Sequence, residues 1–90
     1  MSLNEKNIKV SEPSWIVTDV EPKDDYILLV TFITGERKIY DCKPLLDKGV
    51  FKQLKEPKIF KMAHVDAETV VWNDELDIAP EELYEVGQPA

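Results

Sequence analysis

One cysteine, one histidine and three glycines in 90 residues leave little room for several kinds of chemistry. A single cysteine, Cys42, cannot form an internal disulfide, so nothing marks an oxidising compartment and a reducing cytoplasm is the expected location. With His64 the only histidine, one chain cannot build a multi-histidine metal site. No window approaches the run of roughly twenty apolar residues that spans a bilayer, so no membrane association is expected. The polar start MSLNEKNIK also lacks the apolar stretch of a signal peptide. There is no phosphate-binding P-loop, no dinucleotide fingerprint and no zinc spacing.

Basic charge is scarce overall. Eleven Lys and Arg stand against eighteen Asp and Glu, a net charge of −7, which opposes sequence-independent attraction to nucleic acid or an anionic membrane. The charge is also unevenly placed. Lys43 to Lys61 holds six lysines against Asp47 and Glu56, whereas Asp66 to Glu85 holds eight acids and no base. Such asymmetry describes either two oppositely charged solvated faces or a docking surface for a charged partner.

What is present suits a small globular domain. The apolar fraction of 43% sets disorder aside. Residues 1–13 have little pattern and are expected to be a poorly ordered segment, its first residues an expression scar. Residues 14–85 are expected to form one domain and 86–90 a tail. Tyr26-Ile27-Leu28-Leu29-Val30-Thr31-Phe32-Ile33 is rich in β-branched and aromatic residues, Thr34-Gly35 supplies a turn, and Glu36 to Asp41 runs back. A two-residue loop would pair Val30 with Ile39, Phe32 with Arg37 and Leu29 with Tyr40. Leu28, Val30 and Phe32 then share a core face, although a one-residue slip would reverse the assignment.

The opposite face of the hairpin carries Ile27, Leu29 and Ile33, with Tyr40 beside them, where a wet face would be polar. Either the chain covers these residues, by its N-terminal segment with Trp15 or a terminal helix, or a second copy or another protein does. These four residues are the candidate partner surface.

Upstream, residues 14–20 read as a strand and Glu21-Pro22-Lys23-Asp24-Asp25 as a turn. Downstream, a short helix is expected at 44–48 and another turn over Val50 to Lys55, stopped by Pro57. Strands are expected at 59–65 and 69–73, and a last helix from Pro80. The expected class is α+β: a small, mostly antiparallel sheet, built from a three-strand meander and a second hairpin, with short helices.

The segment WNDELDIAPEELY carries five acids, one Asn and no base. As oxygen ligands for a hard cation, Asp74, Asp77 and Glu81 lack both the spacing and the turn glycine of a calcium loop. As structure, Ala79 is an N-cap, Pro80 opens the helix, Glu82 reaches back to the cap, and Ile78 and Leu83 occupy hydrophobic-staple positions. Asp77 is placed to satisfy backbone N–H groups of the Asn73 to Leu76 turn. Lys52, Lys55, Lys58 and Lys61 recur every three residues around Phe51, Leu54, Ile59 and Phe60. With Pro57 forbidding a continuous helix, the choice lies between a solubilising rim and a weak basic strip for phosphate. A Cys42–His64 nucleophile and base pair has no oxyanion or third-member pattern beside it.

The order Tyr26-x-Leu28-x-Val30-x-Phe32-x-x-Gly35-Glu36, Asp41-x-x-Pro44-Leu45-Leu46, Val50-Phe51-x-x-Leu54, Phe60, Trp72 and Asp77-Ile78-Ala79-Pro80-x-x-Leu83-Tyr84 resembles the small bacterial family catalogued as domain of unknown function 2442. Trp72, Asp77, Pro80 and Tyr84 form its structural signature here. The resemblance implies a small α+β domain, alone or, in some relatives, joined to a helix-turn-helix domain, and it carries no activity, cofactor or catalytic residue. The expected function is therefore a non-enzymatic protein-interaction or adaptor module of a bacterial cytoplasm, without a cofactor, whose partner is another protein or a second copy of itself. The alternative is a sensing or dimerising domain of a nucleic-acid-linked regulator, transcriptional or antitoxin-like, acting with a DNA-binding partner chain rather than touching nucleic acid directly.

Overall fold

The structure, a computed structural model, describes residues 13–90. The expected disorder of residues 1–13 therefore lies, but for Pro13, outside the described residues. The hairpin anticipated in the centre is present as β2, Ile27–Phe32, and β3, Arg37–Asp41. β1, Val17–Lys23, pairs antiparallel with β2 to complete the meander. A second, three-stranded antiparallel sheet consists of β4, His64–Asp66, β5, Thr69–Asn73, and β6, Leu76–Ile78. Short helices are α1, Pro57–Phe60, and α2, Pro80–Val86, with 3₁₀ turns at Lys43–Leu45 and Gly49–Lys55. The class is α+β, as expected.

Leu28, Val30 and Phe32 form the core face of β2, and all three are almost fully buried. Their face is fixed by what lies above it: Val70 and Trp72 from β5, Leu76 and Ile78 from β6, Leu54 and Phe60 from the helical connection, and Leu83 from α2 belong to the same cluster. One core thus joins both sheets. Trp72 is fully buried and its indole N–H donates to the Phe60 carbonyl at 3.1 Å, so its polar atom is satisfied where water cannot reach.

The register of β2 and β3 corrects the expected pairing by one residue. Leu29 lies opposite Ile39, Leu28 opposite Tyr40 and Val30 opposite Lys38. The connection has three residues, not two: the Gly35 N–H donates to the Phe32 carbonyl, and the Phe32 N–H to Glu36, both at 2.8 Å. Gly35 sits at φ 89, the left-handed position of a three-residue hairpin loop. The slip leaves the core face of β2 intact and moves Tyr40 onto it.

Proline accounts for three further differences. Pro22 lies within β1 rather than in a turn, because among the described strands β1 is at the sheet edge, where the missing N–H needs no ladder partner. Pro57 opens a helical turn instead of stopping one: Glu56 is its N-cap and accepts from the Lys58 N–H. The strand expected at 59–65 consequently begins only at His64, since Ile59 and Phe60 belong to α1. At the other end, the segment 86–90 is not a tail. Gln88–Pro89 pair with Ile39 and Lys38 as β7, the fourth strand in the order β1-β2-β3-β7. Among the described residues no helix is long and apolar enough to cross a membrane.

Candidate functional site

The four-stranded sheet has two unlike faces. All the core residues just described, and the helices, lie on one. On the other, register brings three rows together: Asp19, Thr31 and Arg37; then Glu21, Leu29, Ile39 and Gln88; then Lys23, Ile27 and Asp41. Ile27 and Leu29 are half-buried and, among the described residues, take no part in the core cluster, while Ile39 and Ile33 are more than a third exposed. An apolar stripe therefore runs across the centre of this outer face, and Asp19, Glu21, Lys23, Arg37 and Asp41 around it are all exposed.

Of the expected partner surface, Ile27 and Leu29 are on the outer side, Ile33 is exposed in the β2–β3 turn, and Tyr40 is not on that side. Tyr40 is 3% exposed and its hydroxyl donates to Glu82 Oε2 at 2.9 Å, tying β3 to α2. Burial first, then the Glu82 carboxylate, push its phenol well above the usual range. Ile39 takes its place beside Leu29, and only the loop geometry at Gly35 could have revealed that exchange. Glu82 accordingly does not reach back to Ala79: α2 has no side-chain cap.

The signature residues divide. Trp72 and Pro80 do structural work, in the core and at the first turn of α2. Tyr84 packs edge-on against Phe32, ring centroids 5.0 Å apart. Lys38, facing inward opposite Val30, donates its ammonium to the Tyr84 carbonyl and stands 3.9 Å above the Tyr84 ring, a cation–π contact at the C-terminal end of α2. Asp77 is exposed on β6, and the turn it was expected to hold is held by Asn73, whose Oδ1 accepts the Glu75 N–H at 2.9 Å. Sequence reasoning missed Lys38 because a lysine in a strand reads as solvated.

The remaining chemistry is spread out. Cys42 is fully buried, and burial pushes its thiol up to about 12, which removes the thiolate a nucleophile needs. His64 is exposed, its Nδ1 within 2.8 Å of the Met62 carbonyl. Asp41 accepts from the Lys43 N–H and ammonium, and the backbone bond leads in holding its carboxyl below the ordinary range. A shallow cleft of about 200 Å³ between the β1–β2 turn and α1 is lined by Lys23, Asp25, Tyr26, Phe60 and Lys61. Another, of about 300 Å³, lies over the acids Asp66, Asp74 and Asp77. Among the described residues no group of three or more His, Cys, Asp or Glu could hold a metal ion. Lys52, Lys55, Lys58 and Lys61 are all exposed, across the break between the 3₁₀ turn and α1, and Lys55 pairs with Asp47 at 3.1 Å.

The arrangement defines a small α+β domain with, among the described residues, an apolar sheet face inside a charged rim. The family model described as "Protein of unknown function (DUF2442)" matches residues 17–88, and the chain belongs to that family. No curated protein and no solved structure matches it.

Proposed function

We propose that the protein is a non-enzymatic interaction module of a bacterial cytoplasm, binding another protein chain through the outer face of the four-stranded sheet. The observation that carries this reading is the stripe Ile27, Leu29 and Ile39 on the side of the sheet away from the described helices α1 and α2. Contiguous exposed apolar surface with a polar rim is the usual mark of an interaction site. Leu29→Lys tests it. The expected variant is folded, with a melting temperature close to that of the parent, but has lost partner binding or self-association, because a buried unpaired ammonium is costly and a hydrated one is not. A variant that unfolds would show that the face belongs to the interior of the chain. A variant unchanged in fold and association would show that the face is merely wet.

The four exposed lysines between residues 52 and 61 favour a second reading, a sensing or dimerising domain of a nucleic-acid-linked regulator. Titration with random double-stranded DNA at increasing salt tells direct contact by these lysines from a role that reaches nucleic acid only through a partner chain. Micromolar binding that falls steeply with salt supports direct contact, whereas no binding at low salt is the outcome expected of a chain with net charge −7.

A further inference from the structure

The rim charges of the outer face have a sign pattern that selects a partner. On β1, Asp19 is negative and Lys23 positive. On β3, Arg37 lies across from Asp19 and Asp41 across from Lys23, each pair bridged by one residue of β2, Thr31 and Ile27 respectively. The corners therefore alternate in sign around Leu29, and such a pattern is complementary to its own image under an in-plane two-fold rotation. Resting on the interaction reading above, we infer that the occupant of this face is a second copy of the same chain, packed sheet on sheet about a two-fold axis that runs along β2.

That axis sets Leu29 on Leu29 and Ile27 on Ile27 of the partner. It brings Asp19 over Arg37 of the partner and Lys23 over Asp41 of the partner, so all four corner charges meet opposite ones. A two-fold axis running across the strands also matches the corners but places Glu21 against its own copy, whereas the axis along β2 sets Glu21 over Ile39 of the partner, and a diagonal axis sets like charges together. The favoured arrangement keeps the strands of the two sheets nearly aligned, as face-to-face sheets pack, and is isologous, as dimer interfaces are. Lys23 now contacts Glu21, and Asp41 contacts Lys43, both at 3.1 Å. These pairs are about half exposed and contribute little, so they can exchange for intermolecular partners.

Sedimentation of the full chain over a concentration series at low salt tests the dimer and its axis. The parent is expected to associate reversibly to two chains, Leu29→Lys to remain folded as one chain, and Asp19→Arg or Arg37→Asp each to weaken association about tenfold or more. The double swap, Asp19→Arg with Arg37→Asp, restores the matched corner across the along-strand axis and is expected to recover most of the parent affinity. A double swap weaker than either single variant would overturn this axis, because under the across-strand axis it creates two like-charge corners. A parent that stays a single chain to millimolar concentration, with Leu29→Lys folded, would overturn the self-association while leaving a different protein partner open. Unfolding of Leu29→Lys would remove the surface on which both rest.

Discussion

Cys42 and Lys38 show how a residue's role here follows from which side of the sheet it meets. The Cys42 thiol is buried and held up to about 12, so the folded chain keeps its proton where the unfolded chain, at the ordinary thiol value near 9, loses it. The unfolded state then binds fewer protons between those limits, and stability must fall as pH rises through that window. Cys42→Ala is expected to flatten the fall, measured by urea denaturation at a series of alkaline pH values, and the native thiol is expected to resist a disulfide reagent at pH 8 until denaturant is added. The shared face of Leu28, Val30 and Phe32 was legible in the sequence because period-two alternation sets them on one side of a strand, and that side is the buried one although the pairing differs by one residue. Tyr40 and Ile39 were not, since their facing depends on a single loop residue at Gly35. Lys38 was hidden for a different reason: its partners, the ring and carbonyl of Tyr84, lie 46 residues away.

Elements in this chain are short, and their ends are fixed by one or two residues each. Pro80 with Glu81 and Glu82 starts α2, which the sequence announced. Pro57 was equally visible but ambiguous, because proline both ends and begins helices; the Glu56 cap decided in favour of a beginning. The exit from α2 depends on close approach rather than on a turn residue's freedom. At Gly87 an added Cβ would stand 2.5 Å from the Leu83 carbonyl oxygen and 3.1 Å from Lys38 Cβ. The backbone oxygen cannot step aside without opening the last turn, so Gly87→Ala is expected to destabilise the protein by about 1–3 kcal/mol. It should also release β7 from β3. Amide exchange checks this, with the Ala90 N–H, now bonded to the Arg37 carbonyl at 3.1 Å, losing protection before the β2–β3 ladder does. Nothing in the composition of GQPA marks it as a strand: two residues pair only because α2 delivers them to the open edge of β3.

At the scale of the whole molecule, two sheets of four and three strands are too small to stand apart, and they are joined through the same side chains. β1 meets the β4–β5 hairpin directly, the Val17 N–H donating to the Glu68 carbonyl at 3.1 Å in its turn. Trp72 sits at the centre of the shared core, with Phe51 and Phe60 each 6.5 Å from it between ring centroids. A chain with one such core should unfold in one cooperative step. Trp72→Ala removes the largest buried side chain, leaves a cavity and strips the Phe60 carbonyl of the indole N–H, leaving it the Ala63 N–H at 3.3 Å, an expected loss of about 3–5 kcal/mol. Because domains hold only about 5–15 kcal/mol in total, that substitution should remove a large share of the stability, read as a lower urea midpoint. Trp72→Phe keeps much of the volume and is expected to lose about 1–3 kcal/mol, from the lost indole hydrogen bond and the smaller ring. The informative measurement is amide exchange in the parent and in Trp72→Phe. Leu28 and Val30 of one sheet and Val70 of the other should exchange with the same global free energy in the parent and drop together in the variant. A drop confined to the three-stranded sheet would mean that the sheets hold separate cores, and the face carrying Leu29 would then belong to an autonomous four-stranded unit.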